Sequence, residues 1–248
     1  MPDSPLIYPW NAEESSKRVE AAVREFWTVR DAAGEAQRAR GNVDAGTRGK
    51  VTAGKHLDAF AKLFLEVVCA AGFEQSEVHS GRNHNVPGYF RSQKCWDLVV
   101  IRDGRLCAAI ELKSQVGSFS NNVNNRTEEA LGSSTDFWVT FREGTLGPRR
   151  PWLGYFMLVE DHPKSRKSIK NHTSPLGIRE EFLGSSYIDR YRILCERMVL
   201  EGQYSAAALL TAPIASPGAF SQPSEGLEVD VFMRSLFGHL VGLQGGSK

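Results

Sequence analysis

The feature that most limits how this chain can fold is a pair of long apolar segments separated by a stretch of helix length. Residues 95–113 (CWDLVVIRDGRLCAAIELK) predict two strands joined across Asp103-Gly104, and residues 152–160 (WLGYFMLVE) predict another strand. Apolar runs without polar alternation are typical of strands buried on both faces. A strand-helix-strand unit predicts that its two strands are parallel neighbours in one sheet. The sequence therefore predicts an α/β fold with a central mixed β-sheet flanked by helices on both faces.

Several segments with helical spacing of apolar residues supply those helices. Asn11 and Glu14 have the spacing of a capping box, and Asn125 and Glu128 repeat it. No internal repeat or domain boundary is evident, so residues 1–248 are expected to form a single domain. The predicted helices span residues 12–30, 56–71, 126–141, 187–201 and 229–243.

Composition excludes several classes of protein. The chain has 248 residues, 41% of them hydrophobic and 24% charged, which is ordinary for a globular protein. No apolar run is long enough to span a membrane, and the first residues lack the pattern of a signal peptide. The cysteines are widely spaced and without a CxxC pair, so we interpret them as core residues of a cytoplasmic protein.

The most informative motif is Glu111-Leu112-Lys113 at the end of one predicted strand. Side chains alternate along a strand, so Glu111 and Lys113 face the same way. A carboxylate and an ammonium group on a buried strand are costly without partners. With Asp97 on the preceding strand and the backbone carbonyl of Leu112, they offer hard oxygen ligands for Mg²⁺, and Lys113 can orient or deprotonate a water. This pattern predicts a metal-dependent phosphodiesterase site.

The connection at Asp103-Gly104 decides whether Asp97 can join that site. A strict two-residue turn would pair Asp97 with Ile110 and place it on the face opposite Glu111. An odd-length loop or a glycine bulge would place both carboxylates on one face. Because the metal site requires one face, we predict the odd-length loop.

Further candidates surround this motif. Glu66 and Asp58 on the preceding helix could add an acidic ligand or hold Lys113, although a solvated helix face is the preferred explanation for each. Residues 31–55, rich in Gly, Ala and Arg, predict a flexible loop that is either a linker or an arm along a phosphate backbone. The candidate contacts to nucleic acid are Asn121, Asn122, Asn124, Asn125 and Arg126 in an Asn-rich loop, Arg82, His84, Tyr89, Arg91 and Lys94 before the motif, and Lys164, Arg166 and Lys167 in a basic loop.

Together these segments resemble a known family. Cys95-Trp96-Asp97 with Glu111-Leu112-Lys113 is similar to the PD-(D/E)xK nuclease pattern, with Trp where the motif's name has Pro. The segments PGYFRSQKCWDLVV, AAIELKSQVG, NNVNNRTEEALG, GYFMLVED and SSYIDRYRILCERMVLEG resemble the XhoI family of type II restriction endonucleases. The resemblance covers roughly residues 57–202.

The resemblance implies a homodimer in the bacterial cytoplasm that cuts double-stranded DNA at a palindrome, typically CTCGAG. The reaction would need Mg²⁺ and leave 5′-phosphate and 3′-hydroxyl ends, and the same cell would contain a cognate DNA methyltransferase. Asp97 and Glu111 would hold the metal, and Lys113 would serve the water. Two alternatives remain open from the residues: a structure-specific or repair nuclease, and a DNA-binding module that does not cleave. The net charge of +1 favours none of these.

Overall fold

Five strands and five long helices make up the centre of the computed structural model, which describes residues 6–39, 55–81, 85–171 and 174–244. The helices are α1 (Ala12–Ala39), α2 (Asp58–Ala70), α3 (Phe119–Arg142), the short α4 (Pro163–Arg166), α5 (Tyr187–Leu200) and α6 (Val229–Gln244). The strands are β1 (Val78–Ser80), β2 (Asn85–Pro87), β3 (Gln93–Cys95), β4 (Leu98–Arg102), β5 (Arg105–Gln115), β6 (Trp152–Glu160) and β7 (Ala206–Ala212).

The central sheet is mixed, as the sequence predicted. Its strand order is β1-β4-β5-β6-β7, with antiparallel pairing among the first three strands. β5, β6 and β7 are parallel, so α3 and α5 are the helices of two successive strand-helix-strand units. β2 and β3 form a separate antiparallel hairpin just before β4.

Helices cover both faces of this sheet. On one face, α1, α2 and α6 bury side chains such as Phe26, Phe60 and Phe232 in one apolar cluster with Phe156 of β6. On the other face, α3 and α5 pack against Tyr155 and its neighbours. This arrangement confirms the predicted α/β fold, and it leaves β5 enclosed between two apolar layers.

The first helix is longer than predicted. It begins after Asn11, whose side chain and that of Glu14 exchange hydrogen bonds with each other's backbone N–H groups at 3.0 Å. It then continues to Ala39 instead of ending at Arg30, because residues 31–39 are mostly strong helix formers that outweigh the cost of one glycine. The predicted loop over 31–55 was therefore wrong for its first part, and residues 40–54 lie outside the described residues.

The Asn-rich segment is helical, which corrects the prediction of a loop there. α3 begins at Phe119, so Asn125 is not an N-cap, and Glu128 and Glu129 are not in the first turn. Phe119 and Val123 are both 5% exposed and extend the buried stripe of the helix towards its start. This packing outweighs the preference of asparagine for turns.

Two strands of the sheet were missed by the sequence prediction. β7 (AAALLTA) lies between the predicted helices over 187–201 and 229–243, where no strand was predicted, yet it is wholly buried beside β6. β1 has only three residues and pairs with β4 at the sheet edge. No strand was predicted at residues 85–87, which form β2, and Lys164 and Arg166 of the predicted basic loop lie in the short helix α4.

The hairpin between β4 and β5 reaches the predicted geometry by a different route. Arg102 pairs with Arg105, so the turn has two residues and the predicted odd-length loop was wrong. The register then shifts by one residue between Val100 and Ile101, because Cys107 is an extra residue in β5. Continuing this register brings Asp97 opposite Glu111, which a strict two-residue hairpin would have prevented.

The cysteines agree only in part with the sequence prediction. All four are free thiols, and Cys107 and Cys195 are buried, but Cys69 and Cys95 are exposed and are not core residues. Cys69 lies at the solvent-facing side of α2, where the amphipathic pattern allows any small residue. In the described part of the chain, none of the helices has the length and apolarity needed to cross a membrane.

Candidate active site

A buried carboxylate with two lysine partners lies on β5 at the centre of the candidate site. Glu111 is only 2% exposed. Its Oε1 atom lies 2.6 Å from Nζ of Lys113 and 3.0 Å from Nζ of Lys94. Burial alone would raise the pKa of Glu111, but the two ammonium groups outweigh burial and the pKa is lowered. Glu111 is therefore held as a carboxylate in an apolar sheet.

Each lysine reaches Glu111 for a separate structural reason. Lys113 follows Glu111 by two residues on the same strand, so both side chains project from the same face, as predicted. Lys94 comes from β3, and its ammonium group also lies over the ring of Trp96, 4.6 Å from the centroid. Both lysines are largely buried. Lys94 was predicted to contact DNA, and its ammonium group instead points at the carboxylate.

Asp97 lies next to this group but has a different environment. Its Oδ2 atom accepts a hydrogen bond of 2.7 Å from the backbone N–H of Leu112. Burial raises the pKa of Asp97, and the Leu112 N–H and the charge on Lys113 only partly offset burial. The negative charge of Glu111 raises the pKa of Asp97 further, so the two carboxylates interact electrostatically.

The second oxygen of Glu111 bears on whether these residues fit a metal ion. Glu111 Oε2 is buried and accepts no hydrogen bond, since the hydroxyl of neighbouring Tyr204 donates to the Ala130 carbonyl at 3.1 Å instead; such a charged oxygen is costly unless a cation completes its environment. The two carboxylates and the Leu112 carbonyl are hard ligands that suit Mg²⁺. Among the described residues, no three Asp, Glu, His or Cys side chains are grouped to hold a metal. The donor set thus fits an ion bound by two carboxylates and completed by other oxygens.

The space beside Glu111 is an open cavity of about 600 Å³ at the middle of α3. Arg126 lines it and forms an ion pair of 2.7 Å with Glu129. Neither side chain was predicted to lie beside Glu111, because the predicted helix began at residue 126 and α3 begins at Phe119. The remaining lining residues are Phe90, Arg91, Lys94, Glu111, Lys113, Glu128, Gly132, Ser133 and Asp136.

Helical geometry separates the asparagines that were predicted to act together. At about 100° per residue, Asn122 and Asn125 lie on the same face of α3 as Glu129. Asn124 instead lines a different cavity, of about 570 Å³, between α3 and α5. The amide of Asn122 donates to the carbonyl of Ser118 at 3.0 Å. The side chain of Asn121 lies outside the described part of the structure.

The two additional acidic candidates lie away from Glu111. Glu66 forms an ion pair with Arg18 of α1 on the outer side of α2. Asp58 lines a cavity of about 690 Å³ on the α2 side of the sheet, and Asp97 borders the same cavity. Burial raises the pKa of Asp58. Of the two acids, Asp58 is thus the one that lies beside a cavity that Asp97 also borders.

The predicted basic contacts have separate locations. Arg166 forms an ion pair of 2.5 Å with Asp161. Lys164 and Lys167 line a cavity of about 750 Å³ near the start of α3. Tyr89 and Arg91 lie in the β2–β3 connection, where Arg91 forms an ion pair with Asp136. Arg82 and His84 are outside the described residues.

The family model described as restriction endonuclease XhoI matches residues 36–222. The type II restriction enzyme BstVI of Geobacillus stearothermophilus is 41% identical over 79% of this chain and 92% of the relative. AbrI of Azospirillum brasilense is 44% identical over 64% of this chain and 72% of the relative, and XhoI of Xanthomonas vasicola is 38% identical over 76% and 77%. No solved structure matches the chain significantly. With so much of its length matched, the chain belongs to the XhoI family of type II restriction endonucleases.

Proposed function

We propose that this protein makes Mg²⁺-dependent double-strand cuts at a palindromic DNA site similar to CTCGAG, leaving 5′-phosphate and 3′-hydroxyl ends. The observation that carries this proposal is the environment of Glu111. A carboxylate that is 2% exposed has two lysines on one oxygen and no partner on the other. Such an arrangement is costly for folding alone, and functional sites are where such costs concentrate.

Asp97, Glu111 and the carbonyl of Leu112 would hold the metal ion. An ion held by these oxygens would supply polarisation of the scissile phosphate and a lowered pKa of a coordinated water. Glu111 fixes the position of Lys113, whose ammonium group is 2.6 Å away. Lys113 then holds the attacking water in line with the bond that breaks. The water oxygen bonds to phosphorus, the P–O3′ bond breaks, and a proton passes to O3′, which leaves the proposed ends.

DNA would lie across the open cavity beside Glu111. Arg126 lines this cavity, and with Asn122 and Asn125 of the same helix it is the candidate reader of base edges. Lys164 and Lys167, which line the cavity near the start of the same helix, would contact phosphates. A twofold homodimer would present two such surfaces to the two halves of a palindrome. A cognate methyltransferase in the same cell would protect the host's own sites.

The test is cleavage of a plasmid with one CTCGAG site in Mg²⁺, with the ends sequenced, beside a plasmid in which that site is changed. Wild-type protein is expected to linearise only the first plasmid. Glu111→Gln should lower the rate about a thousandfold, because several kcal/mol of transition-state stabilisation depend on the metal. Mg²⁺ should raise the melting temperature of wild type but not of Glu111→Gln.

Glu13→Gln is the matched control, since Glu13 is an exposed residue that pairs with Lys17 at 2.6 Å. It is expected to cut like wild type. Preferential cutting of branched or nicked DNA would support a repair nuclease instead. Binding without cutting at any site would support a DNA-binding module.

A further inference from the structure

The connection between β2 and β3 carries two exposed aromatic side chains beside the candidate site. Tyr89 is 57% exposed and Phe90 is 69% exposed. Among the described residues, the other strongly exposed large apolar side chains are aliphatic. The two rings contact each other edge to face, with centroids 5.0 Å apart. Exposed aromatic pairs gain nothing from the hydrophobic effect in the free protein, so they point to a partner.

A buried carboxylate on α3 holds this connection in one conformation. Asp136 is 4% exposed, and its Oδ1 atom accepts hydrogen bonds of 2.8 Å from the backbone N–H groups of both Tyr89 and Phe90. Its Oδ2 atom accepts one of 2.7 Å from Nε of Arg91. Three donors on one carboxylate make a strong, charge-assisted clamp. The two rings are thus presented from a rigid backbone.

Glycine at position 88 is required for this clamp. A Cβ atom there would lie 2.6 Å from the carbonyl oxygen of Arg91 and 2.7 Å from Oδ2 of Asp136. Neither atom can move without breaking the clamp. The tight approach of the backbone to Asp136 is therefore built into the sequence.

The location of Phe90 indicates what the rings contact. Phe90 lines the same cavity of about 600 Å³ as Glu111 and Lys113. A duplex whose scissile phosphate reached Glu111 would bring its base stack to this hairpin. Apolar wedges inserted at base steps unstack and kink DNA, most easily at pyrimidine–purine steps.

We propose that Phe90, supported by Tyr89, is a wedge that inserts into the base stack of the bound duplex beside the scissile phosphate, and that Asp136 is the residue that positions it. This inference rests on the proposed function, because it takes DNA as the occupant of the cavity. It adds a means of recognition through DNA deformation, separate from contacts between α3 and base edges. Asp136 acts only through the hairpin and touches no reacting atom.

The experiment measures unstacking directly, with a 30-base-pair duplex that carries 2-aminopurine in place of the adenine of CTCGAG. Ca²⁺ replaces Mg²⁺, and a gel checks that both strands stay intact. Wild-type protein is expected to raise the 2-aminopurine fluorescence, because the base leaves its stack. Phe90→Ala should abolish that rise and weaken binding roughly 5- to 150-fold, the loss expected for one base–aromatic stack. Phe90→Trp should restore both.

Two further variants test the positioning role of Asp136 and provide a control. Asp136→Asn should reduce the fluorescence rise while the protein stays folded, because the amide cannot accept from Arg91. Leu176→Ala removes a 98% exposed apolar side chain elsewhere and should leave affinity and fluorescence unchanged. Melting curves are expected to show Phe90→Ala as stable as wild type, since surface substitutions change stability by about 0.5 kcal/mol or less.

The outcomes distinguish this inference from the proposed function. An unchanged fluorescence signal and affinity in Phe90→Ala would overturn the wedge, even if wild type cuts the plasmid. Unstacking that depends on Phe90 in a protein that never cuts would retain the wedge and reject the proposed cleavage. If Phe90→Ala instead turned a dimer into a monomer in sedimentation with the fluorescence rise intact, the hairpin tip would be a contact between copies and the wedge would be wrong. No binding to any duplex would overturn both.

Discussion

Replacing Lys94 with methionine tests whether Glu111 depends on two lysines in the metal-free protein. Lys94 donates to Glu111 at 3.0 Å, and the shorter contact of 2.6 Å from Lys113 remains in the variant. Methionine keeps the aliphatic packing against the ring of Trp96 but removes the ammonium group. The variant therefore changes the charge around Glu111 without opening a large cavity.

The magnitude follows from what the ammonium group contacts. A hydrogen bond to a charged group contributes about 1.5–3 kcal/mol. The interaction of an ammonium group with a tryptophan ring contributes about 0.5–2 kcal/mol. Because Lys113 still neutralises Glu111, we expect the low end of the summed range, about 2–3 kcal/mol of unfolding free energy. For a chain of this size, that lowers the melting temperature by roughly 4–12 °C.

Urea unfolding at pH 7 in EDTA measures this loss. Lys17→Met is the matched control, because Lys17 pairs with Glu13 across a fully solvated turn of α1 and should contribute at most about 0.5 kcal/mol. Adding Mg²⁺ should restore part of the loss in Lys94→Met, since the ion supplies the missing positive charge. A loss no larger than that of Lys17→Met would refute the claim that Lys94 stabilises Glu111.

Three further predictions concern the fold and the ionisable groups. Gly154→Ala should cost about 1–3 kcal/mol of unfolding free energy in urea, because its Cβ would lie 2.3 Å from the ring of Trp152. Gly238→Ala is the control, because its Cβ has open space around it and the substitution should stabilise α6 by about 0.5–1 kcal/mol. Equal effects of the two substitutions would contradict the close packing at Gly154. Burial and a nearby arginine lower the pKa of His56 to about 4, so the unfolded chain binds the proton first and stability is lost as the pH falls from 6.5 towards 4. Between pH 7 and 5 wild type should lose about 2 kcal/mol more than His56→Gln, and parallel pH profiles of unfolding free energy would contradict this. Because burial raises the pKa of Asp97, its charge costs stability at pH 7. Asp97→Asn should therefore be more stable than wild type in EDTA, and it should lose cleavage. A less stable variant would show that the hydrogen bond from Leu112 contributes more than the burial of the charge costs.

The local pattern of the chain was sufficient for the fold class. The apolar run of β6 predicted a buried strand, and the helical stretch before it predicted a parallel neighbour, which β5 is. The missed strand β7 shows the limit of such patterns. Its alanines have little strand preference of their own, and only the space beside β6 makes them a strand.

Within the candidate site, the sequence alone determined that Glu111 and Lys113 face the same side, because strands alternate with a period of two. Tertiary structure decided the rest. The register of Asp97 depends on a bulge at Cys107, which no local sequence preference predicts. Lys94 contacts Glu111, which is 17 residues away in the sequence. Asp136 holds the connection between β2 and β3 from more than 40 residues away. Contacts between distant segments depend on how the helices and hairpin pack on the sheet, and that packing is a property of the whole fold.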